Sequence, residues 1–440
     1  MSIYDIVFGS LGVICAYLAY QTNPFKEEPE ATPQFTSFQR NYVIVFLTMM
    51  MSDWLQGPYV YALYQHYGYS QADIGVLFIA GFGASMIGGT IVGSLGDSMG
   101  RRKACILFGV FYSASCVTKH FSDFHILMLG RLLGGVATSL LFSVFEAWMV
   151  SEHFARGFSG SLLGGTFTIA YFGNSIVAIL AGLIGGWAAK NYGFVAPFDC
   201  SLVLLVIGTA VVASTWSENY GDKTTPLGEQ LSKAVVAVTT KKEVVIAGAC
   251  QSLFEGAMYT FVFMWTPALE KAAKVAGLGE IPHGYIFAIF MVSCMIGSCM
   301  FKRLYPATPG TTLLTSVITF AAVGLLPATL SGNAFISQLL GFCLFEACVG
   351  FYWPLIAEIR SAVIPEESRA TIMNFFRVPL NLIVVVVLYK IGDLTDVFVF
   401  RFCVTLLGLS AVLSTKLSIS AKSKGSNPDE ALQMESEALA

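Results

Sequence analysis

Charge is what this 440-residue chain has least of. Asp, Glu, Lys and Arg together make up 12% of it, where soluble domains carry roughly a quarter. Hydrophobic residues make up 55% and the mean hydropathy is +0.69. A water-soluble fold of this length has too little polar surface to cover so much apolar side chain, so lipid is the solvent this composition suits. A basic stripe is missing as well: the net charge of -3 argues against a nucleic-acid partner. The ten cysteines include no C-x-x-C pair, which points to neither a zinc site nor a disulfide framework. They read as small buried hydrophobes. No glycine-rich nucleotide loop with a following lysine, no nucleophile–base spacing and no metal-ligand cluster is found, so no enzyme, cofactor or metal site is expected.

What the chain has is long apolar runs, and a bilayer takes about 20 residues of helix to cross. Residues 1–20 form one such run. It contains Asp5, lacks a basic leading segment and shows no small-residue cleavage site before Lys26, so it reads as an extra membrane helix rather than a cleaved leader. A polar linker, 21–39, follows. Twelve more spans are expected: near 41–65, 73–96, 104–119, 125–150, 160–187 and 198–215, then 243–267, 284–301, 311–330, 333–357, 370–389 and 396–417. The fold class is therefore an all-α membrane protein of two six-helix bundles (40–215 and 243–417) plus one N-terminal helix. A polar loop at 216–242 joins the bundles, and a tail at 418–440 reads as disordered.

The two groups of six repeat one another. Phe142, Phe145, Glu146 and Ala147 recur at an offset of 200 as Phe342, Phe345, Glu346 and Ala347. Asp53 with Tyr59-Val60-Tyr61 recurs at an offset of 202 as Glu255 with Phe261-Val262-Phe263. Internal repeats of this kind are a hallmark of secondary transporters. Lys and Arg set the orientation. One side carries Arg101, Arg102, Lys103, Arg156, Lys223, Lys233, Lys241, Lys242, Lys302, Arg303, Arg360 and Arg369. The other carries Lys119, Lys190, Lys271, Lys274 and Lys390. The asymmetry puts the central loop and C-terminus in the cytoplasm and Met1 outside.

Intramembrane acids are expensive and mark pathways. Asp53, Glu146, Glu255 and Glu346 fall on spans one, four, seven and ten, where protons can bind and leave once burial and mutual repulsion disfavour their charge. Arg377, inside span eleven beside Pro379, is a permanent cation whose fork suits a tetrahedral oxyanion. Asn374 and Asn381 flank it as neutral donors. Asn174 and Trp54 are further candidates for the cavity wall.

The loop after span two reads Gly93-Ser94-Leu95-Gly96-Asp97-Ser98-Met99-Gly100-Arg101-Arg102-Lys103. It resembles the major facilitator signature G-x-x-x-D-[RK]-x-G-[RK]-[RK], with Ser98 in place of the first basic residue. A latch is the role this implies, with Gly93, Asp97, Gly100, Arg101 and Arg102 gating. Gly130-Arg131-Leu132-Leu133-Gly134-Gly135 is similar to a second superfamily signature, which adds Arg131. In that architecture spans one, four, seven and ten line the central cavity. Longer strings, Asp53-Trp54-Leu55-Gln56-Gly57-Pro58-Tyr59, Leu141-Phe142-Ser143-Val144-Phe145-Glu146-Ala147-Trp148, Glu218-Asn219-Tyr220 and Phe376-Arg377-Val378-Pro379-Leu380, resemble the eukaryotic molybdate-anion transporter family. That resemblance implies uptake of molybdate across the plasma membrane by a carrier expected to be monomeric. A proton-coupled carrier or antiporter of another small anion or organic compound and a non-transporting nutrient sensor are the alternatives.

Overall fold

The computed structural model describes residues 2–22, 31–220, 236, 240–305, 307–330, 335–364 and 369–417, apart from the side chains of 89–98, 369–371 and 374. The tail at 418–440, expected to be disordered, and most of the central loop lie outside these residues. The described chain is helical. The first helix, α1 (Ile3–Thr22), stands apart, and α2 (Pro33–Gln56) follows. α2 starts before residue 40 because Thr32 caps it, its hydroxyl accepting from the Phe35 N–H at 3.2 Å, and Pro33 occupies the first turn. Both residues suit a helix start. A one-turn break at Gly57–Tyr59 separates α2 from α3 (Val60–His66), and the two together make the first main span.

Five spans complete the first half: α4 (Gln71–Met99), α5 (Arg101–Thr118), the broken span of α6 (Phe124–Leu141) and α7 (Val144–Ala155), α8 (Leu163–Tyr192) and α9 (Ala196–Thr215). The second half is α10 (Lys242–Val275), α11 (His283–Leu304), α12 (Gly310–Leu325), α13 (Phe335–Val363), α14 (Arg369–Tyr389) and α15 (Asp396–Ser414). Among the described residues nine helical stretches are long and apolar enough to cross a membrane by composition alone. The main spans that fall short are those of α2, α5, α10 and α14. These carry much of the interior polarity.

The repeat seen in the sequence is also a repeat of contacts. In the first half α4 packs on α6, α6 on α5, α5 on α9, and α2 on both α8 and α9. The second half reproduces each pair: α11 on α13, α13 on α12, α12 on α15, and α10 on both α14 and α15. The two junctions between halves, α8 with α11 and α4 with α14, are counterparts too. Tyr61 packs edge-on against Phe263, its own equivalent at the 202 offset, with ring centroids 5.2 Å apart. The pseudo-two-fold axis therefore passes between these rings.

Small residues let both junctions close. A Cβ on Gly284 would lie 2.4 Å from the Gly182 carbonyl oxygen, and one on Gly75 would lie 2.8 Å from the Leu388 carbonyl oxygen. Close backbone approach of this kind is what glycine permits between membrane helices. These contacts, with Phe78 on Phe263 and Phe82 on Tyr259, all sit at the end of the bundle opposite the central loop. The halves are sealed there. At the central-loop end Phe142, Glu146, Tyr171, Trp353 and Arg377 are exposed.

α1 belongs to the first half by sequence and packs on the second. The Tyr285 hydroxyl donates to Asp5 at 3.2 Å, Phe8 meets the Tyr285 ring, and Cys15 lies among Val292, Met295 and Cys299. At the far end the Arg303 guanidinium donates to Gln21. α1 thus runs parallel to α11 along its whole length.

Two cations expected in loops have side chains that turn into the protein, and one of them, Arg360, lies within α13. Lys119 is 1% exposed and its ammonium donates to the Tyr64 hydroxyl at 2.9 Å. Arg360 turns inward to Gln251. Both have aliphatic stems long enough to carry a charge well away from its backbone position.

Candidate functional site

The acids occupy four separate settings. Asp53, on α2, accepts from the Tyr112 hydroxyl of α5 at 2.5 Å. Glu146 accepts from the Tyr171 hydroxyl of α8 at 3.1 Å and is exposed at the open end. Its span is interrupted at Phe142 and Ser143, with the Ser143 hydroxyl donating back to the Ser139 carbonyl at 2.6 Å. The break makes Glu146 a first-turn residue of α7, where a helix N-terminus favours a carboxylate. It lines an open pocket of about 440 Å³ with Arg101, Phe142, Ser143 and Val150. Glu346 is 8% exposed and neighbours Cys294 and Cys343 at the α11–α13 contact.

Glu255 has the richest surroundings. It is 4% exposed on α10, and one carboxylate oxygen, Oε1, has no hydrogen-bond partner among the described residues. Gln251, one turn earlier on the same helix, is within reach of the carboxylate, and the charges that act on it are those of Arg360 and Arg377. Arg360 Nη1 donates to Gln251 Oε1 at 3.3 Å. Tyr259, one turn deeper, feels both Glu255 and Arg377 and also packs on Phe82 in the seal. Glu255 therefore lies one turn beneath the seal, and Arg377 reaches it with its charge from the exposed, open side. The hydroxyl of Tyr352, fully buried and stacked on Phe254 at 3.8 Å, is a second unpartnered polar atom among the described residues.

The other expected wall residues have mixed surroundings. The Trp54 indole N–H donates to Asn174 Oδ1 at 2.8 Å, and its ring packs on Phe287. The Asn381 amide donates to the Arg377 carbonyl at 2.7 Å, fixing the backbone beside the arginine. The Asn374 side chain lies outside the described residues, as do the surroundings of Gly93 and Asp97.

The gating residues that are described form a knot at the central-loop end. Gly100 has φ +109°, and a Cβ there would lie 2.4 Å from the Glu218 carboxylate. Glu218 accepts from the Arg102 N–H at 2.9 Å, so it caps α5 from the far end of α9, while the Arg101 N–H donates to the Asn219 carbonyl. The Arg102 guanidinium donates to the Ala213 carbonyl. Asn219 donates to the Trp148 carbonyl at 3.2 Å, and Trp148 stacks on Trp216 at 3.7 Å. Arg131 serves a different contact. Its Nε donates to the Leu77 carbonyl at 3.2 Å and its guanidinium covers the Phe78 ring, in space left open by Gly81.

Sequence reasoning missed Gln251, Tyr352, Arg360, Tyr112 and Tyr171. Tyrosines in apolar helices carry no signal of their own, and Arg360 was counted as a loop charge.

Known proteins are similar to this chain in sequence and in fold. A family model described as sugar transporters, 12 TM, matches residues 3–339. The molybdate-anion transporter of Xenopus tropicalis is 34% identical over 392 residues, covering 86% of this chain and 85% of its own length. That of Takifugu rubripes is 32% identical over 410 residues, covering 85% and 84%. Among solved structures, a peptide transporter POT in complex with sulfate superposes with a TM-score of 0.69 at 16% identity, over 86% of this chain and 93% of that one. A D-xylose-proton symporter gives 0.70 at 13%, over 90% and 100%. Repeat, loop knot and relatives agree: the chain belongs to the molybdate-anion transporter family of the major facilitator superfamily.

Proposed function

We propose that this protein carries molybdate into the cell across the plasma membrane by alternating access, coupled to protons. The observation that carries the reading is Glu255, buried beneath the seal under the charges of two arginines, with one oxygen unpartnered. Two guanidinium groups and one carboxylate leave a net positive charge there. That net positive charge favours an incoming anion. A dianion arriving with a proton on Glu255 brings the site to neutrality, because the two guanidinium charges then face two negative charges. The dianion without the proton does not. Arg377 is the main contact in this scheme, with Asn374, Asn381, Asn174 and Trp54 as neutral wall groups. Asp53, Glu146 and Glu346 are further proton-handling sites.

With the basic central-loop end in the cytoplasm, the seal lies outside and the cavity opens inward. Gly93, Asp97, Gly100, Arg101, Arg102 and Arg131 act in the exchange between states. The carrier works as a monomer and does no covalent chemistry.

The test is molybdenum accumulation at trace external molybdate in cells lacking their own uptake, with and without a pH gradient. Expression should raise accumulation, and Arg377→Ala should abolish the increase at unchanged surface level. No increase from the surface-expressed wild type would refute molybdate import. Full activity of Arg377→Ala would refute the anion site.

A further inference from the structure

We infer that Arg360 is a second anion-binding residue of this carrier, assembled with Gln251 and Tyr352 beside the Glu255–Arg377 site. The inference rests on the oxyanion reading of the Glu255–Arg377 site.

Arg360 is rooted in the final turn of α13, yet its guanidinium reaches Gln251, which is 3% exposed on α10. Helical side chains lean toward the N-terminal end of their helix, and on α13 that direction leads up into the cavity. The bond to Gln251 is 3.3 Å long, beyond the 2.7–2.9 Å range of strong charge-assisted bonds, and it uses one of five donors. Among the described residues the rest of the fork has no other hydrogen bond and can serve a ligand. Tyr352 lies two turns earlier on the same helix, in the fields of both Glu255 and Arg360.

Two buried polar atoms without partners, Glu255 Oε1 and the Tyr352 hydroxyl, are costly features to place together. Their chemistry restricts the occupant. A tyrosine hydroxyl and a guanidinium both donate, so they call for an acceptor with several oxygens. The carboxylate tolerates such a group only when protonated. A tetrahedral oxyanion beside a neutral Glu255 meets all these demands. Gln251 acts as a positioning residue: it parks Arg360 when the anion is absent and touches Glu255 on its other side.

The test uses purified full-length protein and molybdate, with affinity measured by calorimetry. Arg360→Gln should weaken binding about 10- to 100-fold, the loss expected for hydrogen bonds to a charged group. Arg360→Lys keeps the charge without the fork and should fall between it and the wild type. A purely structural tie is separated by charge rescue. Arg360→Cys treated with a cationic methanethiosulfonate should regain much of its affinity, and treatment with a neutral reagent should not. The treated wild type, whose cysteines are buried or half-buried, is the control. Should Arg360→Gln fail to fold, the lysine and rescued cysteine variants decide. Wild-type affinity in the lysine variant and in either glutamine or untreated cysteine variant would overturn the role of Arg360. A wild type that binds no molybdate would instead remove the substrate reading beneath it.

Discussion

Gly284→Ala should pry open the outer seal. The added Cβ would lie 2.4 Å from the Gly182 carbonyl oxygen and 2.7 Å from the Gly186 N and Cα atoms. Ordinary contact begins near 3.4 Å, so α8 and α11 would have to part by about 1 Å. Every blocking atom is backbone, and no rotamer change relieves the clash. Overpacking of this kind costs about 1–3 kcal/mol. The cost falls on the outer-closed state alone, because the outer-open state separates these helices. The population should therefore shift toward outer-open by about 5- to 150-fold. A cysteine placed at Phe263, now buried against Tyr61 and Phe78, reports the change. An impermeant maleimide added to intact cells should label it at least about fivefold faster in the Gly284→Ala background. Gly9→Ala, with no atom within 4 Å of the new Cβ, is the matched control and should change nothing. Equal labelling rates in folded, surface-exposed Gly284→Ala protein would refute the assignment of this junction as the gate.

Further outcomes follow from the same contacts. Glu255→Gln cannot take or give a proton, so it should keep molybdate exchange in preloaded vesicles while losing accumulation driven by a pH gradient. Retained gradient-driven accumulation would move coupling to another acid. Gly100→Ala meets both a positive φ and the Glu218 carboxylate. It should lower stability by about 1–3 kcal/mol, read as a lower thermal midpoint in detergent. Trp216→Ala removes the stack on Trp148 and a hydrogen bond to Asn41. A loss of about 3–5 kcal/mol should show as reduced folded yield.

Much of the fold was legible because hydropathy and repetition are properties of the chain itself. The offsets near 200 foretold paired halves, and the contacts between helices obey the same pairing. The acids were visible as charges in apolar runs. Their partners were not, because Tyr112, Tyr171 and Arg360 reach them from other helices, and only tertiary packing decides such meetings. Arg360 was misplaced for a simple reason: α13 continues past Pro354 to Val363, so a residue counted as loop is helix, with its side chain directed inward. Lys119 does lie in the turn after α5, but its ammonium folds back to Tyr64 at the end of the bundle. The interruption before Glu146 had no proline to announce it.

The docking of α1 on α11 also constrains how the protein is made. α1 is synthesised well before α11, which begins only at His283, and at about 5–20 residues per second the delay is roughly 15–55 s. Throughout that interval α1 must persist in lipid without its partner. Its composition suits the task, with Asp5 its single charge and the rest of Ile3–Thr22 uncharged. Even in the finished protein only 11% of this span is buried. The first helix is therefore a self-sufficient membrane anchor during synthesis that becomes a buttress for the opposite half once translation catches up.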